Sequence, residues 1–160
     1  MEAAYPRVIE EGTCSPVWAA MAVRLQQLNA LTMAIFTLLM LCSYARPGEL
    51  MRLRRYCLVA PMHAVTKHWA LLLSPEERPE RSKTGTADDS ISLGSQWIRW
   101  MGPIFEILKQ GDPQLPLWNF DYPQYVLMFK KTAADLGVHN LVPYQARHSG
   151  PSIDRASNAR

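Results

Sequence analysis

The residues Ala45-Arg46-Pro47-Gly48-Glu49-Leu50 follow an apolar run, Ser82-Lys83-Thr84-Gly85 comes mid-chain, and Tyr144-Gln145-Ala146-Arg147-His148-Ser149 lies near the end. Two arginines and a lysine in such settings suggest a grip on a phosphate. An arginine beside an apolar helix is costly to bury unless its fork of donors is satisfied, and a phosphodiester satisfies it bidentately. Two such forks and a lysine would stabilise the charge that builds as phosphorus becomes five-coordinate. Arg52, Arg54 and Arg55 add three cations close behind Arg46, against the single acid Glu49. A DNA groove requires such clustering, although a solvated helix face reads the same in one dimension.

Composition sets the outer bounds. With 160 residues, 48% of them hydrophobic, the chain makes about one domain with a real core. A net charge of +3 does not by itself argue for nucleic acid; the local clustering does. Cys14, Cys42 and Cys57 are odd in number and lack a Cys-x-x-Cys spacing, so neither a disulfide framework nor a zinc site is expected, and a reducing intracellular compartment fits. His63 and His68 have no second ligand pair and are read as surface or structural residues. From Leu28 to Cys42 the chain is mostly apolar, but about 20 residues are needed to cross a bilayer, so this stretch reads as a helix buried on all sides. Glu2, Glu10 and Glu11, with no early apolar core, argue against a signal peptide.

Most of the elements that would position the cations are helices. Residues 1–15 read as an irregular lead-in and 16–160 as one domain. Ser15-Pro16 signals a helix start, with Trp18, Met21, Leu25, Leu28 and Leu31 at helical spacing and room for a break before a second half ending near Tyr44. Pro47 opens a short helix whose Leu50 and Leu53 face the core. Trp69–Leu73 reads as a buried strand. Ser82-Lys83 and Ser90–Leu93 read as a hairpin with Lys83 near its tip, and Pro75 and Pro79 fall in the connecting loop. Ser95 caps a helix bearing Ile98, Met101, Phe105 and Leu108 that ends at Gly111-Asp112-Pro113. Asp121 and Gln124 form a capping box before a stripe of Tyr122, Val126, Phe129, Ala133 and Leu136, closed by Gly137. Pro143 then turns the chain into a last helix carrying Arg147. The expected class is α+β, mainly α-helical with a small three-stranded antiparallel sheet.

Arg-x-x-Glu-Leu behind an apolar helix, a Ser-Lys-Thr-Gly hairpin and x-x-x-Arg-His-Ser opening a late helix, in that order, resemble the catalytic domain of the tyrosine recombinases, or phage-type integrases. The resemblance runs from about Val17 to the last residue. It implies an integrase-like core acting on double-stranded DNA, in which a tyrosine attacks a DNA phosphate without a metal or small-molecule cofactor. By this resemblance Arg46 and Arg147 clamp the non-bridging oxygens, Lys83 protonates the leaving oxygen, Glu49 holds the first arginine segment, and His148 and Ser149 follow the second arginine. The three cations should then converge on one phosphate. Where the family most often has histidine, this chain has Tyr144, a poorer base that can still hydrogen-bond the phosphate. The family's later His or Trp and its nucleophilic tyrosine have no counterpart before Arg160, so the chain is expected to be a fragment, inactive alone. The alternative is a non-catalytic DNA-binding remnant of a mobile element. The implied setting is intracellular, with DNA (nucleus or nucleoid), with no membrane association and with homo-oligomers on DNA at full length.

Overall fold

The computed structural model describes residues 14–73, 90–95 and 98–145. They form five α-helices, α1 (Cys14–Gln27), α2 (Leu31–Ser43), α3 (Pro47–Met51), α4 (Gly102–Lys109) and α5 (Tyr122–Asp135), and three strands, β1 (Leu58–Val59), β2 (Ala70–Leu72) and β3 (Ser90–Ser92). The fold is α+β, mainly helical, with one three-stranded antiparallel sheet in the order β1-β2-β3. The described residues fall into two compact units, one containing those up to Tyr44 and from Val126 on, the other those from Ala45 to Tyr125.

In the first unit, α1 and α2 are separated by the expected break, and its chemistry is visible. Asn29 takes a left-handed φ of 59°, which its short polar side chain tolerates. Ala30 N–H then donates to Leu25 O at 2.9 Å and Asn29 N–H to Gln26 O at 3.0 Å, the Schellman closure of a helix end. Ala22 and Leu25 of α1 and Ala34 of α2 form a buried cluster, with Met33, Leu38 and Met128 against it. Trp18 and Phe129 meet at 5.9 Å between ring centroids in a tilted pair.

Helix α2 is buried over most of its circumference, at Ala34–Thr37, Leu39–Leu41 and Ser43. Its hydroxyls are accommodated locally: Thr37 Oγ1 donates to Met33 O at 2.8 Å and Ser43 Oγ to Leu39 O at 2.5 Å, so neither is left unpaired in an apolar setting. Among the described residues no helix is long and apolar enough to cross a membrane.

The sheet belongs to the second unit. Leu58 pairs with Leu71, and Leu71 with Ile91. Trp69, Leu71 and Leu73 are buried while Ala70 and Leu72 are half-buried, the period of two of a strand with one inward face. Two of the strands match the sequence expectation. The described sheet is completed by Leu58–Val59 at its other edge, a two-residue strand too short to leave an alternation in sequence. Ser82, Lys83, Pro75 and Pro79 lie outside the described residues. Trp69 meets Phe105 of α4 in a tilted pair, with ring centroids 5.6 Å apart.

Helix α5 begins as its capping box predicts, with Asp121 N–H to Gln124 Oε1 at 2.9 Å and Gln124 N–H to Asp121 Oδ1 at 2.8 Å. It ends in a second Schellman closure, Val138 N–H to Ala133 O at 2.9 Å, with Gly137 at φ 69°. Its buried face is rotated from the expected stripe. Tyr125, Phe129, Thr132 and Ala133 are buried, whereas Tyr122 and Leu136 are exposed and Val126 is half-buried. Thr132 was invisible to a hydrophobic count, yet its hydroxyl donates to Met128 O at 2.7 Å and can be buried without cost to hydrogen bonding.

Candidate phosphate-binding site

Arg46 is the residue before α3, in extended backbone at φ −71° and ψ 146°. Pro47 supplies the fixed φ that starts the helix and has no N–H to leave unpaired. Pro47, Leu50 and Leu53 are buried, while Arg46 and Gly48 are exposed. The helix is therefore anchored on one side and presents Arg46 on the other.

Glu49 fixes the backbone that carries Arg46. Its Oε2 accepts the Arg46 main-chain N–H at 2.7 Å, and Glu49 N–H returns a bond to Arg46 O at 3.0 Å. Arginine has no acceptor, so the reciprocal half of this cap runs through the carbonyl. No carboxylate among the described residues lies within ion-pair reach of the Arg46 guanidinium.

Arg54 and Arg55 are fastened to the loop between α4 and α5. Arg54 Nη1 donates to Gln114 O at 2.8 Å, and Arg55 Nη1 donates to Gln110 O. Main-chain bonds run alongside: Arg55 N–H to Leu115 O at 3.0 Å, Tyr56 N–H to Pro113 O at 3.0 Å and Leu117 N–H to Leu53 O at 2.9 Å. Trp118 Nε1 closes the strap by donating to Leu50 O at 2.6 Å in a buried position. Gly111 makes room for it: at φ 95°, a Cβ there would stand 2.4 Å from Arg55 Nη1. Arg55 is half-buried, and its Nε is buried with no hydrogen-bond partner among the described residues. The sequence reading missed this strap, taking Gly111-Asp112-Pro113 only as a helix end. Its one signal was the glycine beside an Asp-Pro turn, with nothing to show that arginines would dock there.

Three of the four described carboxylates of this unit accept main-chain N–H groups. Among its described residues stand seven Lys and Arg against four acids. Glu49 accepts from Arg46 N–H, Asp112 from Gln114 N–H and Asp121 from Gln124 N–H. Arg54, Arg55 and Lys109 donate to carbonyls, Lys109 Nζ to Leu58 O. A cation on a carbonyl keeps its full charge, since the partner is a neutral dipole. Arg52 is exposed as well.

Tyr144 is 45% exposed, in a turn of the other unit where Val142 N–H donates to Gln145 Oε1 at 2.9 Å. With Pro143 between them, this turn repeats the device at Arg46-Pro47-Gly48-Glu49. Lys83, Arg147 and His148 lie outside the described residues. Among those described, no group of three or more His, Cys, Asp or Glu is placed to hold a metal ion. Comparison with protein-family models, with curated proteins and with solved structures finds no match to this chain.

Proposed function

We propose that this chain is a DNA-binding domain of the tyrosine-recombinase type, in which Arg46 and Arg147 grip a backbone phosphate and Lys83 approaches it from the β2–β3 connection. The observation that carries the reading is the arrangement at Arg46. A guanidinium is held at the surface by a braced backbone, and its nearest acid in sequence is bound to the main chain instead of to the charge. Such a cation is preorganised for an external anion, because neither a local ion pair nor a flexible backbone must first be given up. The run of Arg46, Arg52, Arg54 and Arg55 with the single acid Glu49 among them supports a polyanion over an isolated phosphate. In the full reading the phosphate so gripped is the one broken and rejoined, with charge stabilised by arginines where no metal is used.

Duplex binding by the full chain, followed by fluorescence anisotropy across a salt series, tests the reading. Affinity should fall steeply with salt, and Arg46→Ala should lower the magnitude of the slope by about 0.9 and weaken binding to all sequences alike. Folded protein that binds no duplex at low salt, or binds equally after the substitution, would overturn it.

A further inference from the structure

We infer that the tip of the β1–β2 hairpin is a second DNA-contacting element; this rests on the reading of the unit as a duplex binder. Every residue from Pro61 to His68 is exposed, yet the tip is not loose. Val65 and Thr66 N–H both donate to Met62 O at 2.8 Å, and Met62 N–H donates to Thr66 Oγ1 at 3.2 Å. This knuckle satisfies its own backbone and holds Met62 and Val65, 55% and 75% exposed, out in solvent. At its base the His68 ring lies so close to Gly94 that a Cβ there would meet it at 2.7 Å, so the arm is seated where it leaves the sheet.

The occupant follows from charge. No Asp or Glu occurs between Glu49 and Glu76, and the hairpin itself carries His63, Lys67 and His68. An ordered apolar knuckle flanked only by basic side chains is complementary to a duplex groove: Lys67 faces phosphate, while Met62 and Val65 press on the groove wall or a base step, as apolar wedges do in proteins that enter the minor groove. A surface for a partner protein of mixed charge would not need an acid-free flank.

Three variants of the full chain separate the possibilities by duplex anisotropy across salt, with circular dichroism to confirm folding. Lys67→Gln should lower the magnitude of the salt slope by about 0.9, and Met62→Ser with Val65→Ser should weaken binding by roughly tenfold with the slope unchanged. Arg46→Ala is the reference. Weaker binding by Arg46→Ala together with unchanged binding by both hairpin variants overturns this inference and leaves the proposed function standing. No binding by the wild type at low salt overturns both. Loss of binding to phosphatidylserine vesicles, with duplex binding intact, assigns the tip to a membrane surface and also overturns the inference. A readout free of variants is acetylation of Lys67 in the wild type: duplex DNA should protect it at low salt and not at high salt, and equal labelling with and without DNA counts against contact.

Discussion

Removing Glu49 should weaken DNA binding, which is the opposite of what its charge alone would do. An acid near a phosphate-binding arginine repels the ligand, so deleting it from an ordinary surface strengthens association. Here Oε2 holds the Arg46 N–H at 2.7 Å and caps α3. Charge-assisted bonds of this type contribute about 1.5–3 kcal/mol when buried. This one is exposed, so the range for lost helix caps, about 0.5–2 kcal/mol, applies, and about 1 kcal/mol is a fair central value. Glu49→Ala should therefore lower Tm by roughly 2–4 °C in a chain of this size. Glu49→Gln keeps an acceptor and should lose about half as much. In duplex binding at fixed salt, Glu49→Ala should be weaker than wild type by several-fold, because Arg46 then samples backbone conformations that no longer aim it. Glu49→Gln should lie between the two. Tighter binding by Glu49→Ala, with Tm unchanged, would refute the idea that this carboxylate positions Arg46.

Other outcomes follow from the strap and from α5. Trp118→Phe removes one donor to Leu50 O, which keeps the Leu53 N–H at 3.2 Å, and should cost about 1–2 kcal/mol in urea unfolding from the lost hydrogen bond and the smaller ring; a loss below about 0.5 kcal/mol would count against the strap. Gly111→Ala should cost about 2–3 kcal/mol, from backbone strain at φ 95° and displacement of Arg55, whereas Gly48→Ala, with nothing within 4 Å of the new Cβ, should be neutral or stabilising by up to about 1 kcal/mol. Although Tyr122 is exposed overall, partial desolvation raises its pKa from the ordinary value of 10.0. Its contribution to stability is thus complete below pH 10.0 and is lost as pH rises through the raised folded value, because the unfolded chain ionises first. Tyr122→Phe should flatten the alkaline limb of the unfolding curve; an unchanged limb would show that the hydroxyl is not desolvated.

Features set by neighbouring residues were legible in sequence. Pro47 marked the start of α3, Asp121 and Gln124 the start of α5, and Gly137 its end, since caps and closures depend on residues three or four apart. The break near Asn29 and the all-round burial of α2 were also readable, the latter from an apolar run too long for one face. Features set by distant packing were not. Nothing near Leu58 says that it will pair with Leu71, and a two-residue strand has no period. The rotation of α5 was misjudged because Thr132 counts as polar until its hydroxyl is seen bound to Met128 O. Arg54 and Arg55 were read only as candidates for a ligand, but the loop at Gln110–Leu117 supplies carbonyls to both. That Glu49 would bind the Arg46 backbone required the geometry.

Whether Arg46 and Arg147 serve one phosphate, as proposed, is tested most directly by a double-mutant cycle on duplex affinity. Arg46→Ala, Arg147→Ala and the pair would be compared at one salt concentration, with folding verified by circular dichroism. Groups that share a ligand atom are coupled, typically by about 0.5–3 kcal/mol, whereas independent sites add to within about 0.3–0.5 kcal/mol. With one phosphate shared, the double variant should lose at least about fivefold less affinity than the product of the two single losses. Losses that multiply to within about twofold would mean two separate contacts and would contradict a shared phosphate.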